Sequence, residues 1–138
     1  MPHLSFCWPV RVYIEDTDAG GIVFYANYLR FMERARTECI RHLGFPRLET
    51  IDPSVQFVVH SLSLRYHQPA KLDDQLSVSA DIDTFGRTYI QFKQEVRDAV
   101  TDKLLVEGSI KVACIDNATF KPKGLAVELL NAIRAAGK

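Results

Sequence analysis

The chain has 138 residues, the size of one ordinary domain with its own core. Hydrophobic residues make up 47% and charged residues 25%, which excludes a disordered chain. Seventeen basic residues balance seventeen acidic ones, which argues against bulk nucleic-acid binding and leaves self-association electrostatically permitted.

The first residues, Met1 to Phe6, carry no basic stretch followed by an apolar one, and no apolar run is long enough to span a bilayer. The expectation is therefore a single cytoplasmic domain over residues 1–138, without a membrane span. Cys7, Cys39 and Cys114 are odd in number and irregular in spacing, so they read as small core hydrophobes rather than disulfides or metal ligands.

From Phe6 to Ile14 the residues alternate. Phe6, Trp8, Val10, Val12 and Ile14 share one parity, which predicts a half-buried strand, and Pro9 puts its early part at a sheet edge. From Asn27 to Leu43 the period becomes helical: Tyr28, Phe31, Met32, Ala35, Cys39 and Leu43 form one stripe. Asn27 suits the N-cap, Gly44 suits the position after the C-cap, and Pro46 blocks continuation. Val55 to Tyr66 predicts a long strand, and Gln68 to Asp74 a turn. Leu76, Val78, Ala80 and Ile82 alternate with Ser77, Ser79, Asp81 and Asp83 in the next strand. Phe85-Gly86-Arg87 connects it to a strand from Thr88 to Val96. Asp98 to Asp102 turns the chain into a last strand, Leu104 to Ile115, and Gly124 to Ala136 closes as a short helix.

Successive strands with short turns favour an antiparallel sheet, so the fold class is α+β, with about five strands around one long helix. The helix covers one face of the sheet. One short helix cannot cover the other, which calls for a second copy of the chain.

Between the first strand and the helix stand Glu15, Asp16 and Asp18, followed by Gly20 and Gly21. Carboxylates ahead of a helix meet the positive end of its dipole and its unpaired N–H groups. Glycines turn the backbone sharply and let a ligand approach it. A carboxylate beside free N–H donors can attack a carbonyl, or activate water to do so, while the donors hold the oxygen that becomes negative. The bland alternative is that Asp18 is an ordinary turn or cap residue. Ile22, Val23 and Phe24 are apolar and suit a slot for an acyl chain or an aromatic group.

The run Asp16-Thr17-Asp18-Ala19-Gly20-Gly21-Ile22-Val23-Phe24-Tyr25-Ala26-Asn27-Tyr28, continued by Phe31-Met32-Glu33-Arg34-Ala35-Arg36, resembles the signature of the 4-hydroxybenzoyl-CoA thioesterase family. Within that family, Trp8 to Tyr13, Arg36-Thr37-Glu38 and Pro69 to Asp74 are similar to the bacterial acyl-CoA thioesterases associated with the Tol–Pal cell-envelope system. The resemblance runs from Phe6 to about Pro122.

It implies a hot-dog fold and hydrolysis of an acyl-CoA thioester, with no metal or cofactor. It implies that Asp18 is the nucleophile or general base, and that the backbone N–H of Tyr25 is the oxyanion donor. Tyr13 matches a Tyr that lines the site in relatives, beside Gly21, Ile22, Val23 and Phe24 as the close-approach and slot residues read above. CoA brings phosphates, for which Arg87, in the turn after Gly86, is one candidate cation, and Lys121 and Lys123 fall where relatives carry basic residues near the nucleotide. Protomers are expected to pair so that their sheets run on, as a dimer or a dimer of dimers, a homotetramer, with an acyl carrier protein as a further partner class. Several relatives carry a His at the position of Tyr25, and this chain does not. His3, His42, His60 and His67 form no metal-ligand set, and none flanks the Asp18 loop, which disfavours a hot-dog hydratase. The other alternative is a non-catalytic acyl-CoA or acyl-carrier-protein binding module of the envelope system.

Overall fold

The computed structural model describes residues 6–46 and 52–136; His3 lies outside them. The elements run β1 (Phe6–Arg11), α1 (Tyr28–His42), β2 (Val55–Tyr66), β3 (Gln75–Phe85), β4 (Tyr89–Asp98), β5 (Leu104–Asp116) and α2 (Val127–Ala136), with short 3₁₀ turns at Ile14–Asp16 and Tyr25–Asn27. The five strands form one antiparallel sheet in the order β1-β3-β4-β5-β2. With one long helix on the sheet's inner face, this is the hot-dog arrangement that the resemblance implies.

Strand parity decides which side chains meet the helix. Leu76, Val78 and Ala80 of β3, Ile90, Phe92 and Val96 of β4, and Val106, Ile110 and Val112 of β5 are all buried. They pack with the α1 stripe of Tyr28, Phe31, Met32, Ala35, Cys39 and Ile40. One polar side chain lies in this layer. Gln94 is 1% exposed; its amide donates to the carbonyls of Met32 (2.9 Å) and Ser79 (3.1 Å), and its oxygen accepts from Arg36 (3.0 Å). A buried amide with its partners in place fixes the helix against the sheet in one register.

The opposite parity carries Ser77, Asp81, Gln91, Lys93, Glu95, Arg97, Glu107, Ser109 and Lys111. Gln91 donates to Ser109, and Arg97 pairs with Glu95. This outer face is polar and needs no apolar cover, so the expectation that a second copy must cover it is corrected. The case for a second copy moves to the sheet's edges. β1 is one edge, and Pro9 sits opposite Ser77 there without interrupting an inner ladder. β2 is the other, and Val59, Leu62 and Tyr66 along it are exposed.

Three further expectations change. Cys7 is exposed on β1, so only Cys39 and Cys114 serve as core hydrophobes. β1 stops at Arg11 rather than Ile14, and Ile14 is 77% exposed. The cause is Asp16: its carboxylate accepts the Tyr13 N–H (2.9 Å) and its own N–H donates to the Tyr13 carbonyl (2.9 Å), which winds the chain into a 3₁₀ turn. Asn27 makes no side-chain cap; it is already helical in conformation, and its amide donates to Asp16 Oδ1 (2.8 Å). The far end of α1 follows expectation. Gly44 has φ +107°, its N–H donates to Arg41 O (2.9 Å), and the Phe45 N–H reaches Ile40 O (3.2 Å).

α1 crosses β1, β3 and β4. Beside it, over β5 and β2, lies an open groove of ≈ 490 Å³ lined by Ile40, Phe45, Phe57, Val59, Phe92 and Val112, with Glu33, Arg36 and Arg41 along its helix side.

Candidate active site

The acidic run folds as a tight hairpin that ends at the entry to α1. Thr17 bridges Val23, the Asp18 N–H donates to Ile22 O (2.9 Å), and the Phe24 N–H donates to Asp16 O (3.0 Å). Gly21 makes the turn at φ +80°, a conformation costly for any side chain with a Cβ. Its carbonyl accepts Leu72 N–H (3.2 Å), Ile22 bridges Lys71, and the Val23 N–H reaches Ala70 O (2.9 Å). The loop is therefore pinned along residues 70–72.

The three carboxylates have separate fates. Asp16 is 8% exposed and spent on the fold: it ties the loop to α1 through Asn27 and to β1 through Tyr13. Glu15 and Asp18 are exposed. Asp18 Oδ1 accepts the Gly20 N–H (2.8 Å), which orients the carboxylate within the turn and leaves Oδ2 free of protein donors among the described residues. A Cβ on Gly20 would lie 3.3 Å from Asp18 Oδ1, so the glycine also gives the carboxylate room.

Tyr25 opens the 3₁₀ turn that runs into α1. Among the described residues no acceptor takes its N–H, as expected for the first residue of a helical turn. Its carbonyl accepts the Tyr66 hydroxyl (2.9 Å). The Tyr66 ring meets Tyr28 edge-on at 5.8 Å, and the buried Tyr28 hydroxyl accepts the Ala70 N–H (3.0 Å). Burial raises the Tyr28 phenol above its ordinary pKa, with the Ala70 N–H pulling the other way. Partial burial, and then the Tyr25 phenol, raise Tyr66 likewise.

The Tyr25 side chain is 65% exposed and stacks at a tilt on Phe24, 4.7 Å between ring centres. Ile22, Leu72 and Tyr66 are exposed around them. An apolar, aromatic surface thus borders the hairpin at the C-terminal end of β2. Val23 is buried in the core and points away from it. Tyr13 lies on the β1 side of the acidic run, in a shallow cavity of ≈ 360 Å³ lined also by Trp8, Arg11, Glu15, Asp16 and Arg34.

The expected cations are not beside Asp18 within one chain. The hairpin sits at the end of the sheet where Tyr66 pairs with Val106. Arg87, Lys121 and Lys123 sit at the other end, where Tyr89 pairs with Ala113 and Val55 with Asp116. The ten residue-to-residue steps from Val106 to Asp116 span about 30 Å of extended chain. Lys123 Nζ lies 2.6 Å from Ser54 Oγ and 3.6 Å from Asp116 Oδ2, while the Lys121 and Arg87 side chains are exposed. Among the described residues no group of three His, Cys, Asp or Glu could hold a metal ion, and no helix is long and apolar enough to cross a membrane.

Tyr66 is a site-shaping residue outside the motif, and Asn27 and Tyr28 close the motif without their partners being legible in it. The three hydrogen bonds that define their roles join residues 11 to 42 positions apart.

A profile of the thioesterase superfamily matches residues 20–105. The acyl-CoA thioester hydrolase YbgC of Escherichia coli O157:H7 is 43% identical over 120 residues, covering 87% of this chain and 89% of that protein. The acyl-CoA thioesterase YbgC of Haemophilus influenzae is 41% identical over 126 residues, 91% of each chain. Among solved structures, a 1,4-dihydroxy-2-naphthoyl-CoA thioesterase from Synechocystis superposes with a TM-score of 0.87 over 97% of this chain and 98% of its own, at 21% identity.

Proposed function

Because this chain belongs to the thioesterase superfamily, we propose that it hydrolyses acyl-CoA thioesters to a carboxylic acid and free CoA, with chemistry centred on Asp18 and the Tyr25 N–H. One observation carries the reading most: a backbone donor without an acceptor among the described residues opens the helical turn that follows the hairpin bearing an exposed carboxylate.

Two routes fit that pair. Asp18 removes a proton from water as the water oxygen adds to the thioester carbonyl carbon, or its own oxygen adds and water later opens the mixed anhydride. In both, negative charge gathers on the carbonyl oxygen, the C–S bond then breaks, and CoA leaves as a thiol once protonated. The Tyr25 N–H donates to that oxygen; such a donor is worth roughly 3–4 kcal/mol of barrier. Gly21 gives the substrate a close approach, and Ile22, Phe24 and the Tyr25 ring offer the acyl group an apolar surface.

The site needs a second chain. β2 is a 12-residue edge with exposed apolar side chains, which in isolation would template aggregation. Pairing two β2 edges about a two-fold axis closes them isologously. The Tyr66 end of one chain then lies beside the Val55 end of its partner. A partner's cations equivalent to Arg87, Lys121 and Lys123 approach the Asp18 hairpin, where they serve the phosphates of CoA. The groove beside α1 faces the same junction. A monomer by light scattering at micromolar concentration contradicts this pairing. The activity is tested by free-thiol release from a panel of short aliphatic, long-chain and aromatic acyl-CoAs; binding without turnover across the panel contradicts hydrolysis.

A further inference from the structure

The segment after β5 holds a residue that this chemistry leaves unused. Phe120 has φ +60° and is 65% exposed. The other non-glycine residues with positive φ among those described are Asp73 and Asp102, whose short polar side chains suit the left-handed region. A bulky aromatic does not, and such backbone strain concentrates where a ligand is held.

The strained turn is built rather than loose. The Phe120 N–H donates to Asp116 O (2.8 Å), and the Asp116 N–H donates to Lys121 O (2.9 Å). Asp116 Oδ1 accepts the N–H groups of Ala118 (2.8 Å) and Thr119 (3.0 Å), and Ile115 bridges Pro122. These bonds hold the ring outward, and no aromatic or cationic side chain meets it among the described residues.

Cations lie directly beyond. Lys121 is exposed and pairs with no carboxylate among the described residues. Lys123 is taken up by Ser54 and Asp116, while Arg87 Nη1 is 3.2 Å from where a Cβ on Gly124 would stand. An open aromatic side chain followed by an exposed lysine, with an arginine beside the same segment at Gly124, has the chemistry of a site for a purine base joined to phosphates.

We propose that Phe120 stacks on the adenine of the CoA nucleotide, with Lys121 and Arg87 at its phosphates; this rests on the acyl-CoA reading above. The nucleotide then contributes to affinity apart from the acyl group, and the turn's strain is retained because it presents the ring.

The test compares wild type, Phe120→Gly and Phe120→Trp on an acyl-CoA and on the matching acyl-pantetheine, which lacks the nucleotide. Phe120→Gly raises the ratio of KM for acyl-CoA to KM for acyl-pantetheine about tenfold, near the lower end for aromatic–base stacking. Phe120→Trp keeps the wild-type ratio. Phe120→Gly also unfolds at the wild-type temperature or above it, because glycine accepts the left-handed backbone; a merely structural Phe would give a lower Tm. An unchanged ratio, or a parallel rise on both substrates, overturns the proposal. Calorimetric titration with adenosine 3′,5′-bisphosphate separates it from the hydrolysis reading. If wild type cleaves neither thioester, the hydrolysis reading fails. Bisphosphate binding about tenfold weaker in Phe120→Gly still supports stacking, and equal or absent binding overturns it.

Discussion

Replacing Asp16 by Ala should cost more stability than any other change in the acidic run. The carboxylate is 8% exposed and accepts two donors, the Tyr13 N–H at 2.9 Å and Asn27 Nδ2 at 2.8 Å. Hydrogen bonds to an ionised acceptor contribute roughly 1.5–3 kcal/mol each. Their loss leaves the Asn27 amide buried without its acceptor. Water can reach the Tyr13 N–H, since that bond is only part-buried, and this discounts its share. The expected loss is about 2–4 kcal/mol, a large part of the roughly 5–15 kcal/mol that holds a domain together. Asp16→Asn keeps one acceptor and should lose about half as much. The assay is urea unfolding followed by fluorescence of Trp8, the chain's one tryptophan, at fixed protomer concentration because assembly adds to apparent stability. An Asp16→Ala midpoint equal to wild type would show that the carboxylate does not brace the loop.

Two further outcomes follow from the same geometry. Tyr66→Phe removes the hydroxyl that donates to the Tyr25 carbonyl but keeps the ring against Tyr28. It should lower kcat about tenfold with little change in Tm, because a shift of the donor turn costs rate before it costs the fold; wild-type kcat would show that the bond does not position the turn. Burial pushes the Cys39 thiol up to about 11, whereas Cys7 is exposed. A thiol reagent at pH 8 should therefore label Cys7 fast and Cys39 only on unfolding. Because the native thiol stays protonated where the unfolded one ionises, Cys39 also makes stability fall as pH rises from about 8.5 towards 11. Rapid native labelling of Cys39 would contradict its place in the core.

The elements were legible wherever one pattern dominates. The α1 stripe, the Gly44 stop and the strands β2 to β5 follow from period and punctuation alone. The polar outer face was also written in the alternation of Ser77, Ser79, Asp81 and Asp83, although the need for cover was read the other way. What local patterns missed are contacts at a distance. Asp16 overrides the β1 alternation because its carboxylate captures Tyr13, and Asn27 gives up capping because Asp16 is the better partner. The hairpin was visible through its glycines and carboxylates, but the sorting of Asp16 to the fold and Asp18 to the surface depends on which backbone donors each one meets. The separation of Arg87, Lys121 and Lys123 from Asp18 follows from strand order, which no residue spacing reveals.

The most direct measurement is thiol release by Asp18→Asn beside wild type, on the acyl-CoA that wild type turns over fastest. The amide keeps the Oδ1 acceptor for the Gly20 N–H, so the hairpin and Tm should hold while the carboxylate's charge and basicity are gone. The account predicts a folded variant with kcat reduced at least a hundredfold, at the low end of what an acid–base group supplies. A folded Asp18→Asn variant that cleaves at the wild-type rate contradicts it.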